Sequence, residues 1–116
     1  DPLRNGHVSS EAQSYALVRA VWMRDRATFE RVHAWTRAHL RRDDGLHAWL
    51  WDPAAQHLVD ANTATDGDID IAWALAMASI VFHEPRYADD AAAIVVAIRR
   101  HASVSVGDRW LPAAGN

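Results

Sequence analysis

Four helical segments alternate between two kinds of hydrophobic pattern, and this alternation limits the folds open to the chain. The segments from Ser10 to about Arg24 and from near Asp66 to Phe82 are apolar on nearly every side. The segments from Asp25 to about Arg41 and from Pro85 to His101 are apolar on one face only. Because the all-apolar helices must be buried, the order predicts an all-α fold of stacked αα-hairpins with an inner and an outer layer.

The connections between these segments carry weaker signals. The stretch "LHAWLW", residues 46–51, lies between the break at 43–45 and Asp52-Pro53. It is too short and too aromatic for a fifth helix, and we expect an extended loop there. The final stretch "SVSVGDRWLPAAGN" is strand-like at first and then typical of a loop.

Composition excludes several classes of function. The chain has 116 residues, of which 50% are hydrophobic, so that it can bury one modest core. Its net charge of -3 gives no reason to expect nucleic acid or an anionic membrane as partner. Cysteine is absent, and none of the seven histidines forms an HxxxH or HExxH motif, so we expect neither a metal nor another cofactor. Because the chain begins at Asp1, we expect that a preceding segment was removed.

Two carboxylates are predicted to meet at one end of the inner layer. Consecutive helices run antiparallel, so the first and third point the same way and their first turns lie side by side. Glu11 and Asp66 occupy those turns, and the loop bearing Trp49 and Trp51 enters the same end. Glycoside hydrolysis uses a pair of carboxylates, and sugars stack on aromatic rings. The pattern therefore favours carbohydrate as the substrate.

The acidic stretch "DGDID", which begins at Asp66, also allows plainer interpretations. Alternate acids open an EF-hand, but position six of that loop is Ile71 and position twelve is Met77, where glycine and glutamate are needed. We also expect Thr65 or Asp66 to be the N-cap of the third helix, with the following acids in its first turn. A helix cap and a sugar ligand are compatible roles.

The tryptophans are divided by their positions. Trp22, Trp35 and Trp73 lie within helices, where a core position is the ordinary interpretation. Trp49 and Trp51 are expected to divide, with one facing the cleft and the other packing beneath it.

Three segments together resemble glycoside hydrolase family 8. They are "SSEAQSYALVRAVW", "GLHAWLWD" and "NTATDGDIDIAWALAMA", the last followed by "PRY". The resemblance implies an (α/α)6 toroid, inverting hydrolysis and an open cleft across the ends of the inner helices. It implies an endo-acting hydrolase of β-1,4-glucan, although cellulose, chitosan and xylan remain open as substrates.

The resemblance also assigns roles. Glu11 and Asp66 are the implied catalytic residues: Glu11 matches the family's proton donor, and Asp66 matches the signature aspartate, which either binds and distorts the sugar at the cleavage subsite or activates the attacking group there as nucleophile or base. The implied substrate-binding residues are Trp49, Trp51, Gln13 and Tyr15. The polymeric substrate implies a secreted or periplasmic protein.

The chain departs from the family's pattern in two places. Ala12 stands where glycine is commoner, and the chain ends at "LPAAGN", where family members continue. We therefore predict that residues 1–116 are about the first third of a catalytic domain and lack the general base. The alternatives are a catalytically silent fragment and a carbohydrate-binding or helical interaction protein. An isolated piece of this kind is expected to self-associate through an exposed apolar edge.

Overall fold

The computed structural model describes residues 6–116, so residues 1–5 of the predicted domain 1–116 lie outside the described part. The helices are α1 Ser10–Trp22, α2 Arg26–His39, α3 Thr65–Val81 and α4 Arg86–His101. The strands are β1 Val8–Ser9, β2 Ala48–Asp52, β3 His57–Thr63, β4 Ser103–Val106 and β5 Arg109–Pro112. Each helix ends within about two residues of its predicted boundary.

The helices pack in the predicted two layers. α1 and α3 lie against each other, α2 packs on α1, and α4 packs on α3. Buried side chains from all four helices form one core, whose fully enclosed members include Leu17, Phe29, Ile71, Leu75 and Ile94. The prediction of an all-α fold with an inner and an outer layer is confirmed. Within residues 6–116, no helix is both long and apolar enough to cross a membrane.

Both helical hairpins turn in the same way. The residues that follow α1 and α3 by two positions, Arg24 and His83, have φ angles of 55° and 54°. In each case the next residue donates its N–H to the carbonyl five positions earlier, at 2.9 and 3.0 Å. This Schellman arrangement satisfies the last carbonyls of the inner helix and reverses the chain into the outer one.

The stretch around the two loop tryptophans is a strand and not the extended loop that the sequence predicted. β2 is the centre of a three-stranded antiparallel sheet, with β1 on one side and β3 on the other. Its residues Ala48 and Leu50 are buried, because aromatic and aliphatic side chains suit a half-buried pleat. The final stretch is also more regular than predicted, since β4 and β5 form an antiparallel hairpin that turns at Gly107.

The inner helices are less buried than the sequence predicted. α1 and α3 expose large apolar side chains: Tyr15, Trp22, Ile69, Trp73 and Ile80. The prediction that Trp22 and Trp73 are core residues is wrong. Their rings meet edge to face at 6.1 Å on the surface, where neither outer helix covers them. An open apolar groove of about 640 Å³ also runs between α3, α4 and the β4–β5 hairpin.

A buried histidine on α2 makes the fold sensitive to acid. His33 is 8% exposed and lies between the rings of Phe29 and Tyr87, at 5.9 and 5.7 Å. Burial lowers the pKa of His33 from 6.5 to about 4. The unfolded chain therefore binds a proton in this range that the folded chain does not bind, and stability falls as the pH drops from 6.5 toward 4.

We expect His33 to account for a measurable part of acid unfolding. Between pH 7 and 4.5 the parent should lose about 2 kcal/mol more free energy of unfolding than its His33→Leu variant, which cannot titrate there. Urea unfolding at the two pH values measures both losses. Equal losses in parent and variant would show that other groups cause the acid sensitivity.

Candidate functional site

The first turns of the two inner helices begin differently. Ser9 is the N-cap of α1, and its hydroxyl accepts a hydrogen bond from the N–H of Ala12 at 3.2 Å. α3 begins at Thr65 after the N-cap Ala64, which makes no side-chain capping bond. The predicted cap at Thr65 or Asp66 is therefore wrong. Both residues already lie inside the helix, and Asp66 Oδ1 accepts from the N–H of the next residue at 2.9 Å.

These two first turns touch, as the antiparallel packing predicted. A Cβ atom on Gly67 would lie 3.0 Å from Ser10 Oγ and 3.3 Å from the backbone nitrogen of Glu11. Only a residue without a side chain permits this approach without displacement. Glu11, which is half-buried, and Asp66, which is exposed, thus come to the same end of the inner layer.

The Glu11 carboxylate is held by groups on both of its oxygens. Trp49 Nε1 donates to Oε1 at 3.0 Å, and Ser10 Oγ donates to Oε2 at 3.5 Å. Trp49 belongs to β2, 38 positions away, so the sheet and α1 together orient this acid. The indole thus has a polar contact to the carboxylate as well as a half-buried ring.

The second loop tryptophan has different neighbours. Trp51 meets His39 of α2 edge to face at 5.0 Å, and His39 stacks on Trp35 at 4.3 Å. The buried Nε1 of Trp51 has no hydrogen-bond partner among the described residues. The two tryptophans are therefore separated, with Trp49 at Glu11 and Trp51 in an aromatic stack against the outer helix.

The two remaining predicted residues also separate. Gln13 Oε1 accepts from the hydroxyl of Thr36 at 3.2 Å, which places Gln13 between α1 and α2. Tyr15 is 62% exposed and stands one helical turn after Glu11. Of these two residues, Tyr15 is the one whose side chain is exposed at the surface.

Sequence reasoning missed a buried pair behind the site. Asp68 Oδ1 accepts hydrogen bonds from His47 Nδ1 at 2.7 Å and from His47 N at 3.1 Å. Burial raises the pKa of Asp68, although its bonds to His47 oppose that shift. One signal was available, because an acid in the first turn of an all-apolar helix is buried with it and needs a partner.

The described ranges offer no ready metal site. No group of three or more His, Asp or Glu side chains within residues 6–116 is placed to hold an ion. What the arrangement offers chemically is a held carboxylate, a second and exposed carboxylate, and an aromatic surface beside them.

The chain is similar to known glycoside hydrolases. The sequence model of the family described as glycosyl hydrolases family 8 matches residues 3–114. An endoglucanase of Cellulomonas uda is 37% identical over 114 residues, which are 96% of this chain and 32% of that protein.

Solved structures of glycoside hydrolases are also similar to the chain. An endoglucanase of Klebsiella pneumoniae described as a family 8 glycosyl hydrolase superimposes with a TM-score of 0.93 at 32% identity, covering 99% of this chain and 38% of that one. A reducing-end-xylose releasing exo-oligoxylanase gives a TM-score of 0.75 at 26% identity, covering 82% of this chain and 28% of that one. The chain therefore spans about a third of the length of these relatives.

Proposed function

The chain belongs to glycosyl hydrolases family 8, and from this membership we propose that it carries the acid-bearing part of an inverting, endo-acting hydrolase of β-1,4-glucan. The observation that carries the proposal is the Glu11 carboxylate, which Trp49 holds at the junction of two helix first turns. The four helices of the chain form part of an (α/α)6 toroid. Residues 1–116 are then about the first third of the catalytic domain.

In this proposal Glu11 is the general acid. Cleavage of a glycosidic bond needs a proton on the leaving oxygen, and a positioned carboxylic acid supplies it. Trp49 fixes where that proton is offered, because its Nε1 donates to Oε1 of Glu11 at 3.0 Å, whereas the contact from Ser10 Oγ to Oε2 is longer, at 3.5 Å. The acid is half-buried, so it keeps one side open to substrate.

Asp66 has the second role. Its carboxylate is exposed at the same end, and the N–H of Gly67 holds its Oδ1. We assign it to the hydroxyls of the sugar at the cleavage subsite, where its bonds favour a distorted ring and stabilise the transition state. The water that attacks in an inverting reaction then requires a third group as base.

The four predicted substrate-binding residues divide between contact with the sugar and support of the site. Trp49 and Tyr15 offer faces on which a sugar can stack. Trp51 and Gln13 instead support the site through contacts with the outer helix α2. Trp51 meets the ring of His39 edge to face, and Gln13 accepts a hydrogen bond from Thr36.

Release of reducing ends from carboxymethyl-cellulose, with chitosan and xylan in parallel, tests the proposal. We would assay this chain and a chimera in which it replaces the 114 matching residues of the Cellulomonas uda endoglucanase. The chimera is expected to cut carboxymethyl-cellulose well above the other two polymers. Retention of the chain on insoluble cellulose without turnover would instead support a binding fragment. A chimera that neither binds nor cuts would contradict the proposal.

The stereochemical part has its own test. An inverting enzyme releases the α-anomer from a β-linked glucan. Proton NMR of cellopentaose hydrolysis by the chimera, recorded before mutarotation, distinguishes the two anomers. Early accumulation of the β-anomer would contradict inversion.

The hydrogen bond from Trp49 to Glu11 should be visible in the rate. Trp49→Phe keeps a stacking ring but removes the donor, so we expect kcat of the chimera to fall about tenfold, the worth of one hydrogen bond to a charged group. Trp51→Phe is the matched control, because its Nε1 makes no hydrogen bond among the described residues. Equal effects of the two substitutions on kcat would contradict a role for the bond.

Location and assembly are further parts of the proposal. A polymeric substrate places the protein outside the cytoplasm, secreted or periplasmic, which cell fractionation tests. The exposed apolar side chains of α1 and α3 favour self-association of the isolated chain. Sedimentation velocity tests it, and a monodisperse monomer would contradict it.

A further inference from the structure

A buried carboxylate and imidazole tie the sheet to the inner layer. Asp68 is fully buried and His47 is 1% exposed. One oxygen of Asp68 accepts two bonds from the same residue, from His47 Nδ1 at 2.7 Å and from its backbone nitrogen at 3.1 Å. The side chain and the backbone of His47 are thereby fixed against the first turn of α3.

Each partner stands two positions from a residue of the proposed site. His47 precedes Trp49 by two positions, and Asp68 follows Asp66 by two. Ala48, the first residue of β2, follows His47 directly, and its N–H donates to the carbonyl of Leu40 at 2.7 Å. Because His47 and β2 are consecutive in the chain, a shift of His47 acts on the start of the strand.

The pair is costly to break. The second oxygen of Asp68, Oδ2, is buried and has no hydrogen-bond partner among the described residues. The two bonds from His47 are thus the hydrogen bonds that this carboxylate accepts among the described residues, and their loss leaves a buried acid unpaired. Burial raises the pKa of Asp68, and the hydrogen bonds from His47 oppose that shift.

We propose that His47 and Asp68 are positioning residues that hold β2 against α3 and so set where Trp49 meets Glu11 relative to Asp66. This role rests on the proposed function, in which Glu11 is the acid and Asp66 binds the sugar. The connection runs from Asp68 to His47, along the backbone to Trp49, and through its indole to the Glu11 carboxylate. Neither partner touches substrate, because both are enclosed.

The Trp49 indole proton reports on this connection directly. In the 15N-labelled chain, its NMR signal is assigned by its loss in Trp49→Phe, and Glu11→Ala gives the signal of the broken bond. His47→Gln is expected to move the signal at least halfway toward that reference, because its amide cannot donate from the Nδ1 position. His47→Asn, whose amide can, should restore the parent signal. The indole signal of Trp110, on β5, should stay in place in both.

A merely structural pair would behave differently. Ile94→Ala is the matched control, since it opens the core on α4 at a fully buried position without touching the site. The proposal is overturned if His47→Gln leaves the Trp49 signal unmoved, or if Ile94→Ala moves it as far. Should His47→Gln fail to fold, Asp68→Leu takes its place, because it removes both acceptor oxygens and leaves no buried charge. That variant should also move the Trp49 signal at least halfway toward the broken-bond position, and an unmoved signal would overturn the proposal.

Titration with cellopentaose separates this proposal from the proposed function. If the parent binds the sugar, His47→Gln should weaken binding about tenfold through misplacement of the site, and His47→Asn should restore it. If the parent and the chimera show neither binding nor hydrolysis, the proposed function fails, while the indole signal still decides whether the pair positions Trp49.

Discussion

Replacing Glu11 by glutamine is expected to lower kcat for carboxymethyl-cellulose by about 10²–10⁴-fold in the chimera, with KM nearly unchanged. Glutamine has the same shape, and its amide oxygen can still accept the hydrogen bond from Trp49 Nε1. What it lacks is an acidic proton for the leaving oxygen. The loss should therefore fall on the chemical step and spare the binding of sugar.

The leaving group supplies a sharper form of this test. A dinitrophenyl glycoside needs no proton to depart, so the Glu11→Gln variant should recover most of the parent rate on such a substrate. Glu30→Gln is the matched control, because Glu30 is paired with Arg26 at 2.8 Å on the outer helix, away from the site. A variant equally impaired on both substrates would show that Glu11 supports structure and does not donate the proton.

The helices and their layers were predictable because their signals are local. Hydrophobic periodicity and the capping signals lie within one or two turns of the residues they govern. The meeting of Glu11 and Asp66 needed one further step, the antiparallel order of consecutive helices, and the close contact at Gly67 bears out that step. The (α/α)6 arrangement came from the resemblance and not from periodicity.

The predictions that failed concerned residues whose structure depends on neighbours distant in sequence, which the local hydrophobic pattern does not identify. β2 is a strand because β1 and β3 flank it, and nothing in "LHAWLW" predicts either of these pairing strands. Trp22 and Trp73 resemble core residues within their helices, but burial depends on whether another element covers that face. They are exposed because the described elements leave it open.

The sequence did not predict the His47–Asp68 pair, for a related reason. The partners are 21 positions apart, and neither belongs to a spacing that signals a site. The sequence correctly predicts Asp68 as a first-turn acid, but its side chain points inward because the helix is enclosed at that turn. A rule that asks where every acid of an all-apolar helix finds its partner would have raised the question, although it could not have named His47.

Gly67→Ala is expected to lower kcat of the chimera by about tenfold to hundredfold, although alanine favours a helix. The backbone effect alone would stabilise α3 by about 1 kcal/mol. Against it, the new Cβ would lie 3.0 Å from Ser10 Oγ and 3.3 Å from the nitrogen of Glu11, so the two first turns must move apart by a few tenths of an ångström. Because Asp66 and Glu11 stand on those turns, the displacement acts on both proposed groups together.

Restoring the room should restore the rate. Adding Ser10→Ala to Gly67→Ala removes the oxygen of the closest contact, and we expect the double variant to regain most of the lost kcat. Ser10→Ala alone is the control, because the loss of its weak 3.5 Å contact with Glu11 should change the rate by less than about threefold. If Gly67→Ala instead raises the melting temperature and leaves kcat unchanged, helix propensity outweighs the contact, and the close approach of the two turns has no part in catalysis.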